Sequence, residues 1–159
     1  MDKKYFDKVK EASEFIKGKI SIEPKVMVVL SGGLNAFVEK IENPVTVSAA
    51  DIPHFPQATA EGHSGKMIFG KIGDLPLVAL QGRFHYYEGH PMPSVVFPTF
   101  VMNALGAKTL VVTNATGGIN RTFKTGDIMM ITDHINHMGT NPLIGISTQR
   151  KENQFPDMT

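Results

Sequence analysis

The sequence predicts an α/β protein in which a mixed, mostly parallel twisted sheet is flanked by helices. Short continuous apolar runs, typical of strands buried on both faces, alternate with segments of helical periodicity. Turns of small residues directly follow two of these runs, as expected at the carboxyl ends of strands that lead into helices. Residues 107–159 show almost no helical periodicity, so we expect a single domain, 1–159, whose fold is incomplete at its C-terminal side.

The N-terminal segment predicts a helix, a buried strand and a second helix. Apolar residues recur at helical spacing from Tyr5 to Ile20, and Gly18 could end this amphipathic helix. The run Val26–Leu30 predicts a buried strand. The turn Ser31–Gly33 follows at once, and helical spacing resumes from Leu34 to Ile41. Helix N–H groups at such a turn can bind an anion, although any strand-to-helix turn can use glycine.

A hairpin is predicted in the middle of the chain. Asn43–His63 lacks periodicity and contains three prolines, which predicts a loop with at most one short strand. Lys66–Ile72 and Leu75–Gln81 predict two strands, with Gly73-Asp74 as the tight turn between them.

The remaining elements are predicted as a loop, a helix and two strands. Ser94–Leu105 has helical spacing, with Ser94 as a possible cap and Gly106 as a stop. The other expected segments are a polar-aromatic loop at Gly82–Pro93, a buried strand at Thr109–Thr113, a turn at Asn114–Gly118, a strand at Ile128–Thr132 and a loop at Asp133–Asn153.

Composition excludes several classes of function. The chain contains no cysteine, so disulfides, thiolate zinc sites and cysteine nucleophiles are excluded. Sixteen basic and fifteen acidic residues give a net charge of +1, which provides no electrostatic footprint for nucleic acid or an acidic membrane. No apolar run approaches the length of a membrane span. We therefore expect a soluble, cytoplasmic protein with neither a nucleic-acid nor a membrane partner.

Three segments at predicted strand ends are rich in hydrogen-bond donors: Ser31–Gly33, Arg83–Tyr87 and Asn114–Gly118. Main-chain N–H groups, a guanidinium and an imidazole suit an anion, most plainly phosphate. Arg83 and His85 are two residues apart, so in an extended segment both side chains lie on one face. On spacing alone, a surface arginine and a half-buried histidine remain the favoured interpretation.

Other histidines give weaker indications of a site. His63 lies in a segment that could close over an anion, although taken by itself a solvent-exposed turn is the favoured interpretation. His134 and His137 have Asp133 as their only adjacent carboxylate, so no metal site is predicted.

Longer motifs carry a family resemblance. Gln81-Gly-Arg-Phe-His-Tyr-Tyr-Glu-Gly89, Val112-Thr-Asn-Ala-Thr-Gly-Gly-Ile-Asn120 and Gly126-Asp-Ile-Met-Met-Ile-Thr-Asp-His-Ile-Asn136 occur in order. Asn141-Pro-Leu-Ile-Gly145 and Phe155-Pro-Asp-Met158 follow them. Together they resemble the N-terminal part of the trimeric purine nucleoside phosphorylases, which share their fold with methylthioadenosine phosphorylases.

The resemblance implies phosphate-dependent cleavage of the N-glycosidic bond of purine nucleosides, giving a free purine and a pentose 1-phosphate. It implies a homotrimer and no metal or organic cofactor. It also implies the site residues: Ser31, Gly32, His63, Arg83, His85 and the Ala115 amide would bind phosphate, Glu88 would orient the catalytic His85, Tyr87 would contact ribose, and Phe155 would reach the neighbouring subunit's site.

Two departures from the family pattern bear on activity. Gly32 occupies the position where the family has a phosphate-binding serine, and Ser31 is one residue early. Family chains also continue well past residue 159, and the resemblance places their purine-binding residues there, so none is expected within this chain. These departures leave two alternatives to an active purine nucleoside phosphorylase. One is a non-catalytic phosphate-binding remnant of the family, and the other is a methylthioadenosine phosphorylase.

Overall fold

The computed structural model describes residues 3–56 and 65–144. Eight helices and strands in this part of the chain form one sheet and its helical layer. In chain order they are α1 (Lys3–Lys17), β1 (Val26–Leu30), β2 (Glu42–Ser48), β3 (Lys66–Ile72), β4 (Leu75–Gln81), α2 (Met92–Val95), α3 (Phe97–Ala104) and β5 (Thr109–Val112).

The five strands form a single mixed sheet in the order β2-β3-β4-β1-β5. β1 pairs in parallel with β4 on one side and with β5 on the other. β3 pairs antiparallel with both β2 and β4. The predicted mixed α/β sheet is confirmed, with a smaller parallel share than the sequence indicated because the β3–β4 hairpin and β2 add two antiparallel pairs. The strands predicted at 26–30, 66–72 and 75–81 have the predicted bounds.

The main hydrophobic core lies between the sheet and the pair α1 and α3. Ile16 of α1 and Val101 of α3 are fully buried against Met67, Phe69 and Val78 of the sheet. A smaller cluster on the opposite face joins Leu30 and Ile68 to Ile41, with Phe37 and Val38 partly buried beside it. Successive side chains along a strand therefore point to opposite faces of the sheet and pack into the two clusters, as the pleat of a strand requires.

Short elements differ from the predicted ones. Residues Asn35–Lys40 form a 3-10 helix rather than an α-helix, and none of them is buried. Such short segments favour 3-10 turns because too few residues are present to extend an α-helical ladder. β2 supplies the single strand expected near Asn43, but it begins at Glu42 and contains a register shift before Val45. Asn43 itself has a positive φ of 47°, which marks the irregularity.

The predicted helix Ser94–Leu105 is wrong in its start. It is divided into α2 and α3, with Val96 between them, and it begins before Ser94. Pro91 occupies the N-cap position of α2, so Ser94 lies inside that helix and does not cap it. The break falls two residues before Pro98, whose ring and missing N–H disfavour a continuous helix. Gly106 has φ +112°, which agrees with the predicted helix stop.

Residues 113–144 depart most from prediction. The strand expected at Ile128–Thr132 is absent from this part of the described chain. Ile128 is 96% exposed and Met130 is 84% exposed. A strand needs a neighbouring strand for its main-chain hydrogen bonds, and no ladder of the described sheet includes these residues. The apolar residues at 128–132 resemble a strand in composition, but they pair with no strand of the described sheet.

Within residues 3–56 and 65–144, no helix is long and apolar enough to cross a membrane.

Candidate functional site

The candidate site lies where three strands end together. β4, β1 and β5 are adjacent and parallel, so their carboxyl ends meet at one edge of the sheet. Ser31 follows β1 directly, Arg83 lies two residues beyond β4, and Thr113 follows β5. This is the edge at which open α/β sheets bind ligands. The structure thus brings Ser31 and Arg83, from two of the three predicted segments, to the end of β5, where the contact is made by Thr113.

Thr113 joins the ends of β1 and β5. Its main-chain N–H donates to the Val29 carbonyl at 3.0 Å, which extends the ladder by one residue. Its Oγ1 accepts from the Ser31 N–H at 2.9 Å and lies 3.0 Å from the Val29 carbonyl oxygen. The same Oγ1 lies 3.4 Å from the Ser31 hydroxyl. The threonine side chain therefore fixes the turn after β1 to the end of β5.

Arg83 bridges that junction to His85. Its Nη1 donates to the Thr113 carbonyl at 2.8 Å, and its Nε donates to His85 Nε2 at 2.8 Å. Arg83 and His85 therefore face each other, as their separation by two residues predicts. A guanidinium has five N–H donors, and these two contacts account for two of them. Because the group keeps its positive charge, the other donors suit an anion.

His85 is oriented in turn by Glu88. His85 Nδ1 is hydrogen-bonded to Glu88 Oε1, and both side chains are largely buried, at 15% and 10% exposed. A carboxylate can only accept, so Nδ1 carries the hydrogen, and Nε2 of the neutral ring accepts from Arg83. The two contacts are mutually consistent with one tautomer. The orienting role that the resemblance implied for Glu88 has the required geometry.

Local backbone structure explains why these side chains meet. Residues Tyr86–Glu88 form a 3-10 turn with His85 as its N-cap. At three residues per turn, side chains i and i+3 lie above one another, which places Glu88 over His85. Gly82 and Gly89 flank this segment, and both have φ +89°. This left-handed conformation favours glycine and lets the chain turn sharply at each end.

Tyr87 and Gly32 lie at the open side of the site. The Tyr87 ring stacks on the His85 imidazole, with centroids 4.7 Å apart and planes 21° apart, and 82% of Tyr87 is exposed. An added Cβ at Gly32 would meet nothing within 4 Å. Ser31 is buried, and its hydroxyl lies 3.5 Å from the Gly32 carbonyl oxygen. The position next to Ser31 therefore has room for a side chain that the sequence does not supply.

Some predicted site residues are not joined to this cluster. Ala115 is exposed two residues beyond Thr113, and no described hydrogen bond connects it to Arg83 or His85. His63 and Phe155 lie outside the described residues. Among the residues that the structure describes, no three His, Asp or Glu side chains are grouped so that they could hold a metal ion.

A cavity in the described part of the fold lies away from this site. A cavity of about 510 Å³ lies between the segment after α1 and the end of α3, lined among others by Ile20, Glu23, Gly106 and Lys108. These residues precede β1 and β5, so the cavity is at the opposite edge of the sheet. Among the described contacts, the residues that line this cavity form no cluster like that of Arg83, His85 and Glu88.

Two residues of the cluster were missed by sequence reasoning. Thr113 was treated as the end of a strand predicted to be buried, whereas all four residues of β5 are exposed; a hydroxyl directly after an apolar run at a strand's carboxyl end is nevertheless a usable signal. His90 was not considered, and its Nε2 lies 3.8 Å from Glu88 Oε2. No sequence signal indicates the His90 contact, because it depends on the turn at Gly89.

Comparison with known proteins gives consistent relatives. The family described as the Phosphorylase superfamily matches residues 25–159. Purine nucleoside phosphorylase 1 of Bacillus subtilis is 48% identical over 153 residues, covering 96% of this chain and 56% of that protein. The purine nucleoside phosphorylase of Rattus norvegicus is 40% identical over 157 residues, covering 97% of this chain and 54% of its own length. The chain spans about half the length of the curated relatives it matches.

Solved structures similar to this chain are also purine nucleoside phosphorylases. A Schistosoma mansoni purine nucleoside phosphorylase in complex with acetate has a TM-score of 0.71 and 40% identity, covering 76% of this chain and 44% of that one. Isoform 2 from the same organism, in complex with cytosine and ribose-1-phosphate, has a TM-score of 0.72 and 36% identity, covering 77% and 43%.

Proposed function

The chain belongs to the phosphorylase superfamily, and we propose that it acts as a purine nucleoside phosphorylase. The reaction would cleave the N-glycosidic bond of a purine ribo- or deoxyribonucleoside with inorganic phosphate. Its products would be the free purine and the pentose 1-phosphate. The names of the relatives support this assignment over the methylthioadenosine alternative.

One observation carries the proposal: the hydrogen-bonded series Thr113, Arg83, His85 and Glu88 at the carboxyl ends of parallel strands. The series holds one positively charged donor group in a fixed orientation beside a largely buried imidazole. Preorganised donors of this kind stabilise an anion without rearrangement during the reaction. A phosphate dianion is the anion whose charge and geometry suit a guanidinium best.

The mechanism follows from what phosphorolysis requires. Bond breaking leaves positive charge on the sugar near the anomeric carbon, and a phosphate held in line would stabilise that charge and then attack the carbon. Arg83 would hold the phosphate and keep its nucleophilic oxygen in place. His85 can donate to phosphate from Nε2 only when that nitrogen carries a hydrogen. In the observed arrangement Nε2 accepts from Arg83, so His85 would act by holding the guanidinium that binds phosphate.

Further assignments belong to the same proposal. We assign Ser31, Gly32, His63 and the Ala115 amide to phosphate and Tyr87 to ribose. Further components would be a homotrimer, with Phe155 reaching the neighbouring subunit's site, and a cytoplasmic location. The chemistry needs no metal or organic cofactor, because phosphate is both the charge stabiliser and the nucleophile.

A second function, phosphate binding without catalysis, is favoured by one specific observation. Gly32 offers no hydroxyl where the family pattern has a serine, while the space for that side chain is open. A lost hydrogen bond to an ionised group costs about 1.5–3 kcal/mol, which lowers anion affinity by roughly 10- to 150-fold. The remaining contacts of Arg83 and His85 would still bind phosphate.

An activity assay separates these functions. Purified protein is incubated with inosine, with and without phosphate, and hypoxanthine is measured by chromatography. We expect hypoxanthine release only with phosphate. Release should be lost in Arg83→Ala but retained in the control Arg121→Ala, because the Arg121 side chain is exposed and makes no contact with the site among the described ones. Phosphate binding without release would support the second function. Faster cleavage of methylthioadenosine than of inosine would overturn the substrate assignment.

A further inference from the structure

We infer that Asn35 and Gln81 are positioning residues that hold the turn Ser31–Leu34 against the end of β4, so that the main-chain N–H groups of the turn keep one arrangement for phosphate. The inference rests on the proposed phosphate site for its functional meaning. Its structural part depends only on contacts within the protein and can be tested without phosphate.

The first observation is a turn whose central N–H groups are open. The Leu34 N–H donates to the Ser31 carbonyl at 3.2 Å and closes the turn. Gly33, at the third position, has φ +88°, as a type II turn requires there. Among the described contacts, the N–H groups of Gly32 and Gly33 donate to no protein group. These two donors are therefore available to an anion as long as the turn keeps its shape.

The second observation is that the two ends of the turn are held differently. The Ser31 N–H is bonded to Thr113 Oγ1 at 2.9 Å, which fixes the first end to β5. The second end leads into the 3-10 helix Asn35–Lys40, which has no buried residue and no side-chain cap. Leu34, directly before that helix, is 45% exposed. Because apolar burial is slight at this end, its position depends on a polar contact.

The third observation is a side-chain contact at that end. Gln81 Nε2 donates to Asn35 Oδ1 at 3.4 Å, across 46 residues. Among the described side-chain hydrogen bonds, no other joins Asn35–Lys40 to the sheet. Both groups are amides with donors and an acceptor, so rotation of both amides still leaves one bond between them. The bond is long and exposed, so we expect effects of a few-fold rather than of orders of magnitude.

The sheet brings Gln81 to this contact. Gln81 is the last residue of β4 and pairs in register with Leu30, the residue before the turn. Leu77 and Ala79 of the same strand belong to the smaller hydrophobic cluster, against which Phe37 of the 3-10 helix packs. Because alternate residues of a strand share a face, Gln81 lies on the face that carries this helix. Strand register therefore places the two amides together.

Gln81 also connects the turn with the guanidinium. Arg83 follows it by two residues, with Gly82 at φ +89° between them. The side chains on the two sides of Gly82 thus have separate tasks, because Gln81 holds the turn and Arg83 would hold the anion. A neutral amide suits the first task, since a carboxylate there would bring negative charge to the strand end that receives phosphate.

NMR of the ligand-free protein tests the structural part. Asn35→Ala removes the acceptor from an exposed position, and Gln81→Met removes the donor while keeping a side chain of similar length. We expect exchange of the Leu34 amide hydrogen with water to accelerate about threefold in each variant, the effect of one weak hydrogen bond. The double variant should exchange no faster than either single one, because only one bond is lost. Additive accelerations, or none, would overturn the inference.

Glu39→Gln is the matched control, because Glu39 is an exposed residue of the same 3-10 helix and takes part in no described side-chain hydrogen bond or ion pair. Its Leu34 exchange should equal that of the wild type. A further measurement needs no variant to fold: the wild type should show a nuclear Overhauser contact between the Gln81 side-chain amide and the Asn35 Cβ hydrogens. Absence of this contact would also overturn the inference.

Phosphate titration tests the functional part. Calorimetry should show an affinity about threefold lower in Asn35→Ala and in Gln81→Met, no lower in the double variant, and unchanged in Glu39→Gln. Accelerated Leu34 exchange with unchanged phosphate affinity would show a purely structural contact and overturn the positioning role. If the wild type binds no phosphate, the proposed function fails, and the Leu34 exchange still decides whether Asn35 and Gln81 hold the turn.

Discussion

The described residues up to 107 and those from 109 to 144 contain the same kinds of apolar side chain in opposite surroundings. Ile16 and Met102 are at most 1% exposed, whereas Ile128 and Met130 are 96% and 84% exposed. Residue type therefore does not decide burial. The first region has a second layer to pack against, formed by α1 and α3 on the sheet, and the second has none among the described residues.

The candidate site lies at the boundary of these two regions. Arg83, His85 and Glu88 follow β4 in the packed region, and they contact the exposed region through the Thr113 carbonyl. The contacts among Arg83, His85 and Glu88 thus lie within the packed region, whereas Ala115 and the turn beyond it are exposed. The described contacts that orient Arg83 therefore come from His85 in the packed region and from Thr113, the first residue past β5.

The largest expected effect contrasts two isoleucines. Ile16→Ala empties a site that is fully buried, and should lower the free energy of unfolding by about 2–5 kcal/mol. Ile128→Ala changes a side chain that is almost fully exposed, and should change stability by less than about 0.5 kcal/mol. Denaturant unfolding followed by circular dichroism measures both. Similar losses in the two variants would show that the second region is packed after all.

The second effect concerns the residue that joins the regions. Thr113→Val removes the oxygen that accepts from the Ser31 N–H and leaves that donor unpaired, at a cost of about 1–3 kcal/mol. Thr113→Ser retains the hydroxyl and should lose less than half as much. Denaturant midpoints of the three proteins give the comparison. Equal losses in both variants would place the stabilisation in the threonine methyl group instead.

A third change should improve the site. Gly32→Ser supplies the hydroxyl of the family pattern at a position where an added Cβ meets nothing within 4 Å. We expect phosphate affinity to rise about tenfold, the effect of one hydrogen bond to an ionised group. Isothermal titration with phosphate measures the change, and Gly18→Ser, at the exposed end of α1 away from the site, is the control. Unchanged affinity in Gly32→Ser would remove that turn from the proposed phosphate site.

The smallest effect depends on pH and lies in the packed region. Burial raises the pKa of the Tyr5 hydroxyl above its ordinary value, and this hydroxyl donates to the Pro93 carbonyl at 2.8 Å. The unfolded chain therefore ionises Tyr5 before the folded chain does. Its stabilisation is complete below about pH 10 and declines as the pH rises above that value.

Tyr5→Phe should thus be less stable than the wild type at pH 7 by about 0.5–1.5 kcal/mol. The difference should shrink as the pH rises from about 9 to 11, because only the wild type carries this titration. Urea unfolding across that range tests the trend. A difference that stays constant with pH would show that the Tyr5 hydroxyl ionises alike in the folded and unfolded chains.

Much of the fold could be predicted because its signals are local. Val26–Leu30 and the hairpin strands were found from apolar runs and the Gly73-Asp74 turn, since burial on both faces leaves a continuous pattern. β2 was largely missed because most of its side chains are exposed and its register shifts. The strand predicted at Ile128–Thr132 fails for the opposite reason: its pattern is right, but pairing is not a local property.

The site could be predicted in part for a similar reason. Arg83 and His85 share a face of an extended segment, and residue spacing alone indicates this. Thr113 meets Arg83 across thirty residues, and only the parallel pairing of β1 and β5 brings the two together. His90 meets Glu88 through a positive φ at Gly89, which spacing cannot indicate.

The central claim is that Arg83, fixed by Thr113 and His85, holds phosphate. Isothermal titration of inorganic phosphate against the wild type, Arg83→Ala and Arg121→Ala tests it most directly. We expect binding to the wild type, affinity within about twofold for Arg121→Ala, and a loss of at least about tenfold for Arg83→Ala, as for a contact between charged groups. Equal phosphate affinity in the wild type and Arg83→Ala would contradict it.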